Sequence, residues 1–447
     1  MTYAVQQSPS RLTRTRSGRL RCVVTCFAGP LTAALPAMAQ SSPSPAALSP
    51  SQRSAVVDSV ANTVERRYVD ADTGRRIAEL LRARQRAKAY DSVSNPALLA
   101  EQLIADLRRT NSDLHLGVRF VPPDAAPTAG VSALGPGRDP QRINYGLSRV
   151  EILEGNIGYL EITSFEGGAF HEAVADALRF LSRTDAIIID IRRNGGGTSE
   201  MSHYVFSHFL PEPPTPTIDV RTRDGSTARR SNTVASVAGP RRTDVPLYLL
   251  TSLATGSAAE EFAFVLRNRS RAVTVGSRTA GAGHMVGGAA VGHGFVVSFS
   301  TARVTDPATG KEWERTGVAP VIAVDPERAL DAAHAASLTQ VAASAPASSK
   351  RALQLLAEAA SARATPVDVG SDLARLQGVY AGGRQVILRD GQLLLRREGL
   401  LPQRLIPLGG DRFALGTTRL RFERSGDELT LVVQPLDGTS LRYRRSS

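Results

Sequence analysis

The chain has 447 residues, of which 42% are hydrophobic and 21% are charged. This composition excludes a disordered protein, and the length allows two or three domains with a substantial core. The formal net charge is +12. The arginines are scattered and aromatic residues do not alternate with them, which argues against a nucleic-acid partner.

Residues 1–39 have the composition of a secretory signal peptide. Five arginines precede an apolar run from Cys22 to Met38, and Ala37-Met38-Ala39 provides a cleavage site of small residues. Cleavage there would lower the net charge from +12 to +7, because five arginines are lost, and would remove both cysteines. We therefore expect an exported protein, periplasmic or secreted, without thiol chemistry. No later segment is long and apolar enough to predict a membrane span.

The next part of the chain predicts a linker and then a small helical subdomain. Residues 40–50 are rich in Ser, Pro and Ala, which is typical of a flexible spacer. Over residues 51–121, apolar residues recur with helical spacing and predict three short helices. The positions that define them are Val56, Val60, Val64, Ile77, Leu80, Leu81, Leu99, Leu103 and Leu107. Residues 122–142 are rich in Pro, Gly and Ala and predict a second linker.

Residues 143–328 alternate between strand-like and helix-like segments. That alternation predicts an α/β layered domain with substantial parallel pairing. The predicted strands are 158–162, 187–191, 247–250, 272–275 and 295–300, and the predicted helices are 170–181, 201–209 and 258–267.

The C-terminal part changes character twice. Residues 329–372 are rich in Ala and predict a partly helical linker. Residues 373–447 alternate short apolar runs with turn signals such as Asp390-Gly391 and Asp437-Gly438, which predicts a small all-β module.

Ser257 is the candidate nucleophile, because it lies between an apolar strand and the start of a helix. A hydroxyl at a helix N-terminus is favoured by the macrodipole, and the amide of Ala258 would face the same space, where it could stabilise an oxyanion. An alternative interpretation is purely structural. Ser257 and Glu260 have the spacing of a capping box, which only satisfies backbone N–H groups.

Gly195, Gly196 and Gly197 follow the buried strand that ends near Ile191. Consecutive glycines leave backbone N–H groups free to face an anion, so this turn could supply a second oxyanion donor. The alternative is a tight turn without a ligand.

His115 is the candidate general base, since a serine needs one to attack at neutral pH. Alternatively, His115 is only a polar residue in a turn. Six other histidines are rival candidates for the general base. Glu314 could orient the imidazole, and its alternative interpretation is a solvated loop carboxylate. The rival histidines are His171, His203, His208, His284, His293 and His334, of which His284 lies in a glycine-rich loop.

The sequence contains no Walker loop and no dinucleotide fingerprint, and its potential ligand residues lack the spacing of a metal site. We therefore expect neither a cofactor nor a metal. The sequence does not specify the oligomeric state.

Six segments, taken in order, resemble the tail-specific or carboxyl-terminal processing protease family over residues 51–324. The resemblance is closer to the branch that contains interphotoreceptor retinoid-binding protein and tricorn core domains. It implies a ClpP/crotonase-like layered α/β core. The segments are Asp113-Leu-His115, Asn156-Ile-Gly-Tyr-Leu, Asp190-Ile-Arg-Arg-Asn-Gly-Gly-Gly, Thr251-Ser-Leu-Ala-Thr-Gly-Ser-Ala-Ala-Glu-Glu-Phe, Gly276-Ser-Arg-Thr-Ala-Gly-Ala-Gly and Trp313-Glu-Arg-Thr-Gly-Val-Ala-Pro.

The resemblance also implies residue roles. Ser257 matches the family's nucleophile, but Ala282 stands where the processing proteases have the lysine of their Ser-Lys pair. The tricorn-like branch uses histidine and glutamate instead, and His115 and Glu314 match that pattern. Ala258 and Gly196 are then the expected oxyanion donors, with the neighbouring glycines left open. Gly195, Gly197 and His284 are assigned to substrate binding.

These inferences predict an exported serine peptidase that acts on peptide or protein substrates through an acyl-enzyme on Ser257. The leading alternative is a catalytically silent protein that binds an apolar ligand on the same scaffold. A further alternative assigns recognition of a substrate or partner to the C-terminal β module.

Overall fold

The computed structural model describes residues 47–122, 139–167, 169–212, 215–239, 241–368 and 372–446. The predicted signal peptide and most of the predicted second linker lie outside the described residues. In chain order the helices are α1 (Pro50–Arg67), α2 (Ala71–Arg86), α3 (Pro96–Arg108), α4 (Phe170–Phe180), α5 (Ser199–Ser207), α6 (Ala258–Asn268), α7 (Ala329–Ser344) and α8 (Ala347–Ala364). The strands are β1 (Gly117–Phe120), β2 (Leu147–Leu153), β3 (Ile157–Ile162), β4 (Ala186–Asp190), β5 (Pro216–Arg221), β6 (Thr227–Asn232), β7 (Leu247–Thr251), β8 (Val273–Gly276), β9 (Met285–Gly292), β10 (Phe295–Thr305), β11 (Ile322–Ala323), β12 (Gly378–Tyr380), β13 (Arg384–Arg389), β14 (Gln392–Arg397), β15 (Gln403–Arg404), β16 (Ile406–Gly409), β17 (Arg412–Leu415), β18 (Thr418–Ser425), β19 (Glu428–Gln434) and β20 (Leu441–Arg444).

The three predicted N-terminal helices are confirmed, and each begins at a polar cap. Ser49 forms a capping box with Gln52 at α1, while Asp70 and Asn95 accept backbone N–H groups at α2 and α3. The apolar faces of these helices pack against β1, β9 and β10. The helical subdomain therefore shares its core with a second sheet, of order β1-β10-β5-β6 with β9 also paired to β10, which the sequence did not predict.

The α/β core is built on a six-stranded sheet of order β11-β8-β7-β4-β3-β2. All neighbouring pairs are parallel except β2 and β3. On β4, Ile187 and Ile189 point into one buried cluster and Ile188 into another. Both faces of the sheet are therefore covered, as parallel sheets require, and the predicted α/β fold class is confirmed.

Helices α4, α5 and α6 cover one face of this sheet, and α7 and α8 cover the other. The predicted Ala-rich linker is helical, but it does more than connect two domains. Leu338 and Ala333 of α7 are fully buried in the same cluster as Ile188 of β4. Small alanine side chains let this helix lie close to the strands, so α7 is a layer of the core.

The predicted C-terminal β module consists of two antiparallel sheets, β12 to β15 and β16 to β20, each in chain order. Their inner faces share one core, which includes Tyr380, Phe413 and Phe422. Arg419 of β18 donates to Glu358 of α8, and so ties the module to the α/β core. Among the described helices, none is both long and apolar enough to cross a membrane.

Candidate active site

Ser257 and the glycine turn lie at the carboxyl ends of β7 and β4, which are adjacent parallel strands. Ligand sites of open parallel sheets form at this edge. Three hydrogen bonds join the two turns. Ser252 Oγ donates to the carbonyl of Arg192, Thr255 Oγ1 donates to the carbonyl of Ile191, and the amide of Gly256 donates to the carbonyl of Asn194.

The backbone at Ser257 is strained, with φ 53° and ψ −123°. An ordinary helix N-cap residue lies in the β region, and positive φ is costly for a side chain other than glycine. Such conformations persist only where the surrounding structure imposes them, and they concentrate at functional sites. A simple capping role does not require this geometry, so the strain favours the nucleophile interpretation of half-buried Ser257.

Glu260 imposes much of that structure. Its buried carboxylate accepts the amide of Ser257 at 3.0 Å, which is one arm of the predicted capping box. It also accepts the hydroxyl of Thr279 at 2.5 Å and the amides of Gly281 and Ala282 at 2.6 and 2.7 Å. Burial raises the pKa of Glu260, and these four hydrogen bonds oppose the rise. The start of α6 is therefore fixed to the loop that carries His284.

The glycine turn touches Ser257 directly. A Cβ added to Gly196, where φ is +114°, would lie 2.8 Å from Ser257 Cβ and 3.2 Å from the amide nitrogen of Ala258. Gly197, with φ +139°, bridges to Phe165 so closely that an added Cβ would lie 2.0 Å from the Phe165 carbonyl oxygen. Only glycine fits at these two positions.

The backbone donors around Ser257 require one correction. Among the described residues, no hydrogen bond occupies the amide of Ala258, which agrees with its expected role as an oxyanion donor. The amide of Gly196, expected as the second donor, instead donates to Oδ1 of buried Asn194 at 2.9 Å. The amides of Gly195 and Gly197 have no hydrogen bond within the described residues. Asn194 thus occupies the amide of Gly196, while the amides of Gly195 and Gly197 remain free to donate to a ligand.

His115 lies between α3 and β1, with only a tenth of its side chain exposed. Its amide donates to Oδ1 of buried Asp113 at 2.8 Å, and its Nδ1 lies 3.5 Å from the same oxygen. Asp113 also accepts the hydroxyls of Tyr68 and Ser300 at 2.7 and 2.6 Å. Burial by itself would raise the pKa of Asp113, but His115 and the two hydroxyls outweigh it and hold that pKa well below its ordinary value.

Glu314 lies in the same cluster as Asp113, and its Oε2 accepts the amides of Gly283 and His284 at 2.7 and 3.0 Å. His284 Nδ1 lies 3.8 Å from that oxygen. Burial raises the pKa of Glu314, and the charge of Asp113 adds to the rise. The solvated-loop interpretation of Glu314 is wrong, because only 3% of its side chain is exposed.

The predicted site residues therefore lie in two groups. The first group contains Ser257, Ala258 and the glycine turn. The second group contains His115, Glu314 and His284, together with Asp113. The loop from Thr279 to His284 joins them, because Glu260 holds its first half and Glu314 its second. Within the described residues, neither ring nitrogen of His115 has a hydrogen-bond partner, so the imidazole is not bonded to the Ser257 hydroxyl.

Sequence reasoning missed the parts that Asp113, Asn194 and Glu260 play. The sequence pattern indicates Glu260 only as a helix cap and Asp113 only as part of a motif. A signal was present for Asn194, since an asparagine one residue before a glycine turn commonly bonds to the amide two residues ahead. No local pattern indicates that one carboxylate binds loop amides 21 and 22 residues away.

Comparison with known proteins identifies two regions of the chain. Residues 156–324 match the model of peptidase family S41, and residues 47–140 match the N-terminal domain of peptidase S41 in eukaryotic IRBP. The chain has a peptidase family S41 domain. The resemblance drawn from the six sequence segments is thereby confirmed.

Individual relatives of this S41 chain are distant. A carboxyl-terminal-processing protease of Picosynechococcus is 25% identical over 207 residues, which are 45% of this chain and 47% of the relative. The chain thus matches about half the length of this curated relative. Among solved structures, a photosystem II D1 C-terminal processing protease has a TM-score of 0.39 at 18% identity, with 63% of this chain and 94% of that chain covered. A lipoprotein from Streptococcus agalactiae has a TM-score of 0.46 at 16% identity, with 64% and 96% covered.

Proposed function

We propose that the protein is an exported serine peptidase that hydrolyses peptide bonds through an acyl-enzyme on Ser257. The observation that supports it most is the strained backbone at Ser257, which lies within the S41 domain at the carboxyl edge of its parallel sheet, beside the unoccupied amide of Ala258. Glu260 and the glycine turn hold the serine in this conformation, so the nucleophile is positioned before substrate arrives.

In this mechanism His115 accepts the proton of the Ser257 hydroxyl while Oγ forms a bond to the carbonyl carbon of the scissile peptide. The tetrahedral oxyanion is stabilised by the amide of Ala258 and by a flanking amide of the glycine turn, from Gly195 or Gly197. His115 then gives the proton to the leaving amine as the C–N bond breaks. A water molecule then attacks the acyl carbonyl carbon while His115 accepts its proton, and His115 gives that proton to Ser257 Oγ as the ester C–O bond breaks. Glu314 orients the imidazole in both halves of the reaction.

The geometry of His115 suits a base that engages only with substrate. Its two ring nitrogens are buried and unpartnered within the described residues, so no internal hydrogen bond must break before it reaches the Ser257 hydroxyl. Catalytic hydrogen bonds often form only in the substrate complex. Glu314 retains one unpartnered oxygen, Oε1, which can accept a proton donor of the imidazole once the ring moves.

Labelling with a fluorophosphonate probe tests this proposal, because the probe reacts with an activated serine. We expect covalent labelling of the full chain, its loss in Ser257→Ala, and slower labelling in His115→Ala. Ser199→Ala is the matched control, since Ser199 lies beside the same turn but donates to Glu261. Labelling that survives in Ser257→Ala would reject Ser257 as the nucleophile.

Export is proposed from the leader sequence alone. If residues 1–39 are a signal peptide, the protein recovered from outside the cytoplasm begins at Gln40. N-terminal sequencing of that protein is the direct measurement. An intact N-terminus on the exported protein would contradict cleavage at Ala39.

The carrier alternative makes the opposite prediction for the probe. A catalytically silent protein would show no labelling and would tolerate His115→Ala without any change in ligand uptake.

A further inference from the structure

A second kind of chemistry is present where Asp113, His284 and Glu314 converge. One ligand-type atom from each of these side chains lies within 4.8 Å of the others. The three residues come from the end of the helical subdomain, the glycine-rich loop and the loop after β10. Their separation in the chain explains why sequence spacing predicted no metal site.

The cluster contains buried polar atoms without partners. The side chain of His284 is 91% buried, since 9% is exposed, and within the described residues neither of its ring nitrogens makes a hydrogen bond. Oε1 of Glu314 is equally buried and unpartnered. An unsatisfied buried polar group costs about 1–3 kcal/mol, so their concentration at one point requires an explanation.

The spacing of these atoms suits a small divalent ion. Two ligand atoms of a tetrahedral Zn²⁺ site with bonds of about 2.1 Å lie about 3.4 Å apart. His284 Nδ1 and Glu314 Oε2 are 3.8 Å apart, so both can reach one ion after a shift of a few tenths of an ångström. The cluster spans up to 4.8 Å, so an oxygen of Asp113 has to move by as much as about 1.4 Å to reach the same ion.

The charges also favour a cation. Asp113 and Glu314 bring two carboxylates to His284, and the carboxylate of Glu312 lies 3.8 Å from His284 Nε2 on the other side of the ring. A divalent ion would offset this concentration of acidic groups. Burial makes the repulsion between Asp113 and Glu314 stronger than it would be in water. One nitrogen and two oxygens are the donor set that borderline metals such as Zn²⁺ accept, and a fourth position remains for water or for nearby His115.

We infer that Asp113, His284 and Glu314 form a binding site for a divalent transition metal, with Zn²⁺ as the preferred ion. The site does not include Ser257 or the backbone donors of the glycine turn, but it shares Glu314 with the proposed mechanism. A bound ion would occupy the carboxylate of Glu314, which orients His115 in the proposed mechanism. If the proposed function is correct, Zn²⁺ therefore inhibits the peptidase reversibly.

Calorimetric titration of the untagged, chelator-treated full chain with Zn²⁺ tests the site without measuring activity. We expect one ion per chain. His284→Ala and Asp113→Asn should each weaken binding by at least roughly tenfold to hundredfold, the loss that changes outside the ligand shell already cause. His293→Ala is the matched control, because His293 is exposed in the turn between β9 and β10, and it should bind Zn²⁺ like the parent chain.

Three outcomes would overturn the inference: no binding, binding that is unchanged in His284→Ala, or binding that is lost in His293→Ala. Thermal unfolding of each variant verifies that it is folded, and His284→Gln, which preserves side-chain bulk, replaces His284→Ala if the alanine variant is not. Ser257→Ala separates the two proposals. It should lose probe labelling and retain Zn²⁺ binding, so failure of the serine mechanism leaves the metal result intact.

Discussion

Glu260 and Glu314 are both buried carboxylates that bind amides of the same glycine-rich loop, but their surroundings differ. Both oxygens of Glu260 accept two hydrogen bonds each. Glu314 accepts two on Oε2 and none on Oε1 within the described residues, and the rings of His115 and His284 beside it are equally unpartnered. The carboxylate network that supports Ser257 is thus fully satisfied, whereas the side chains of the histidine half retain unused bonding capacity.

This difference indicates that the two halves of the site have different roles. A fully satisfied network is rigid and holds Ser257 in a conformation that it would otherwise avoid. A partly satisfied network can accept a new partner at low cost, because no existing hydrogen bond must break. We therefore expect substitutions in the serine half to affect stability more, and those in the histidine half to affect reactivity and metal binding more.

The largest expected effect is on stability, from Glu260→Ala. Removing the Glu260 carboxylate leaves four hydrogen-bond donors unsatisfied, of which three are backbone amides. Each unsatisfied donor costs about 1 kcal/mol or more, so we expect the free energy of unfolding to fall by roughly 4 kcal/mol. Glu314→Ala removes an acceptor from only two amides and should cost about half as much. Urea unfolding of both variants measures the difference. Equal losses would show that the two halves are not organised differently.

The glycine turn provides the next largest effect, and it has an internal control. An alanine at Gly197 would bring Cβ within 2.0 Å of the Phe165 carbonyl oxygen at φ +139°, so Gly197→Ala should cost about 3 kcal/mol of stability. No atom lies within 4 Å of a Cβ added to Gly195, and Gly195→Ala should be nearly neutral. A stable Gly197→Ala protein, measured by urea unfolding, would show that the bridge to Phe165 does not constrain the turn.

His208 is a buried histidine away from the site, and its Nε2 makes no hydrogen bond within the described residues. Burial and nearby Arg241 lower its pKa from the ordinary 6.5 to about 4. Between pH 6.5 and the folded-state pKa, the unfolded chain binds a proton at this histidine that the folded chain does not. The free energy of unfolding therefore decreases by up to about 1.4 kcal/mol for each unit by which the pH is lowered. We expect the free energy of unfolding to fall by about 2 kcal/mol when the pH is lowered from 6.5 to 5. The fall should be smaller in His208→Asn and the same as in the parent chain in His293→Asn, the exposed control. The same pH slope in His208→Asn would contradict this assignment.

The smallest expected effect is at Ser199, whose hydroxyl donates to Glu261 at 2.8 Å. Glu261 keeps its contact with His203, so Ser199→Ala removes one hydrogen bond from a group that is still partnered. We expect a loss of about 1 kcal/mol in urea unfolding and full probe labelling. Weakened labelling in this variant would extend the serine half of the site to Ser199.

Much of this architecture was determined by local sequence. Apolar alternation and capping residues predicted all three N-terminal helices, four of the five parallel strands of the core and the all-β character of the C-terminal module, because these signals act within a few residues of one another. Ser257 and the glycine turn were found in the same way, each at the end of an apolar strand. Asp190 and Arg192, two residues apart, form an ion pair that is equally local.

Only tertiary structure decided the rest. That Asn194 occupies the Gly196 amide, that α7 is a layer of the core, and that Asp113 meets His284 and Glu314 all depend on how distant segments pack. Local propensity determines which segments become helices or strands, but it carries no information about which side chains face one another across 30 or 170 residues. Those encounters are selected by burial of the whole core, and so the histidine half of the site and its metal-binding geometry become visible only in the folded chain.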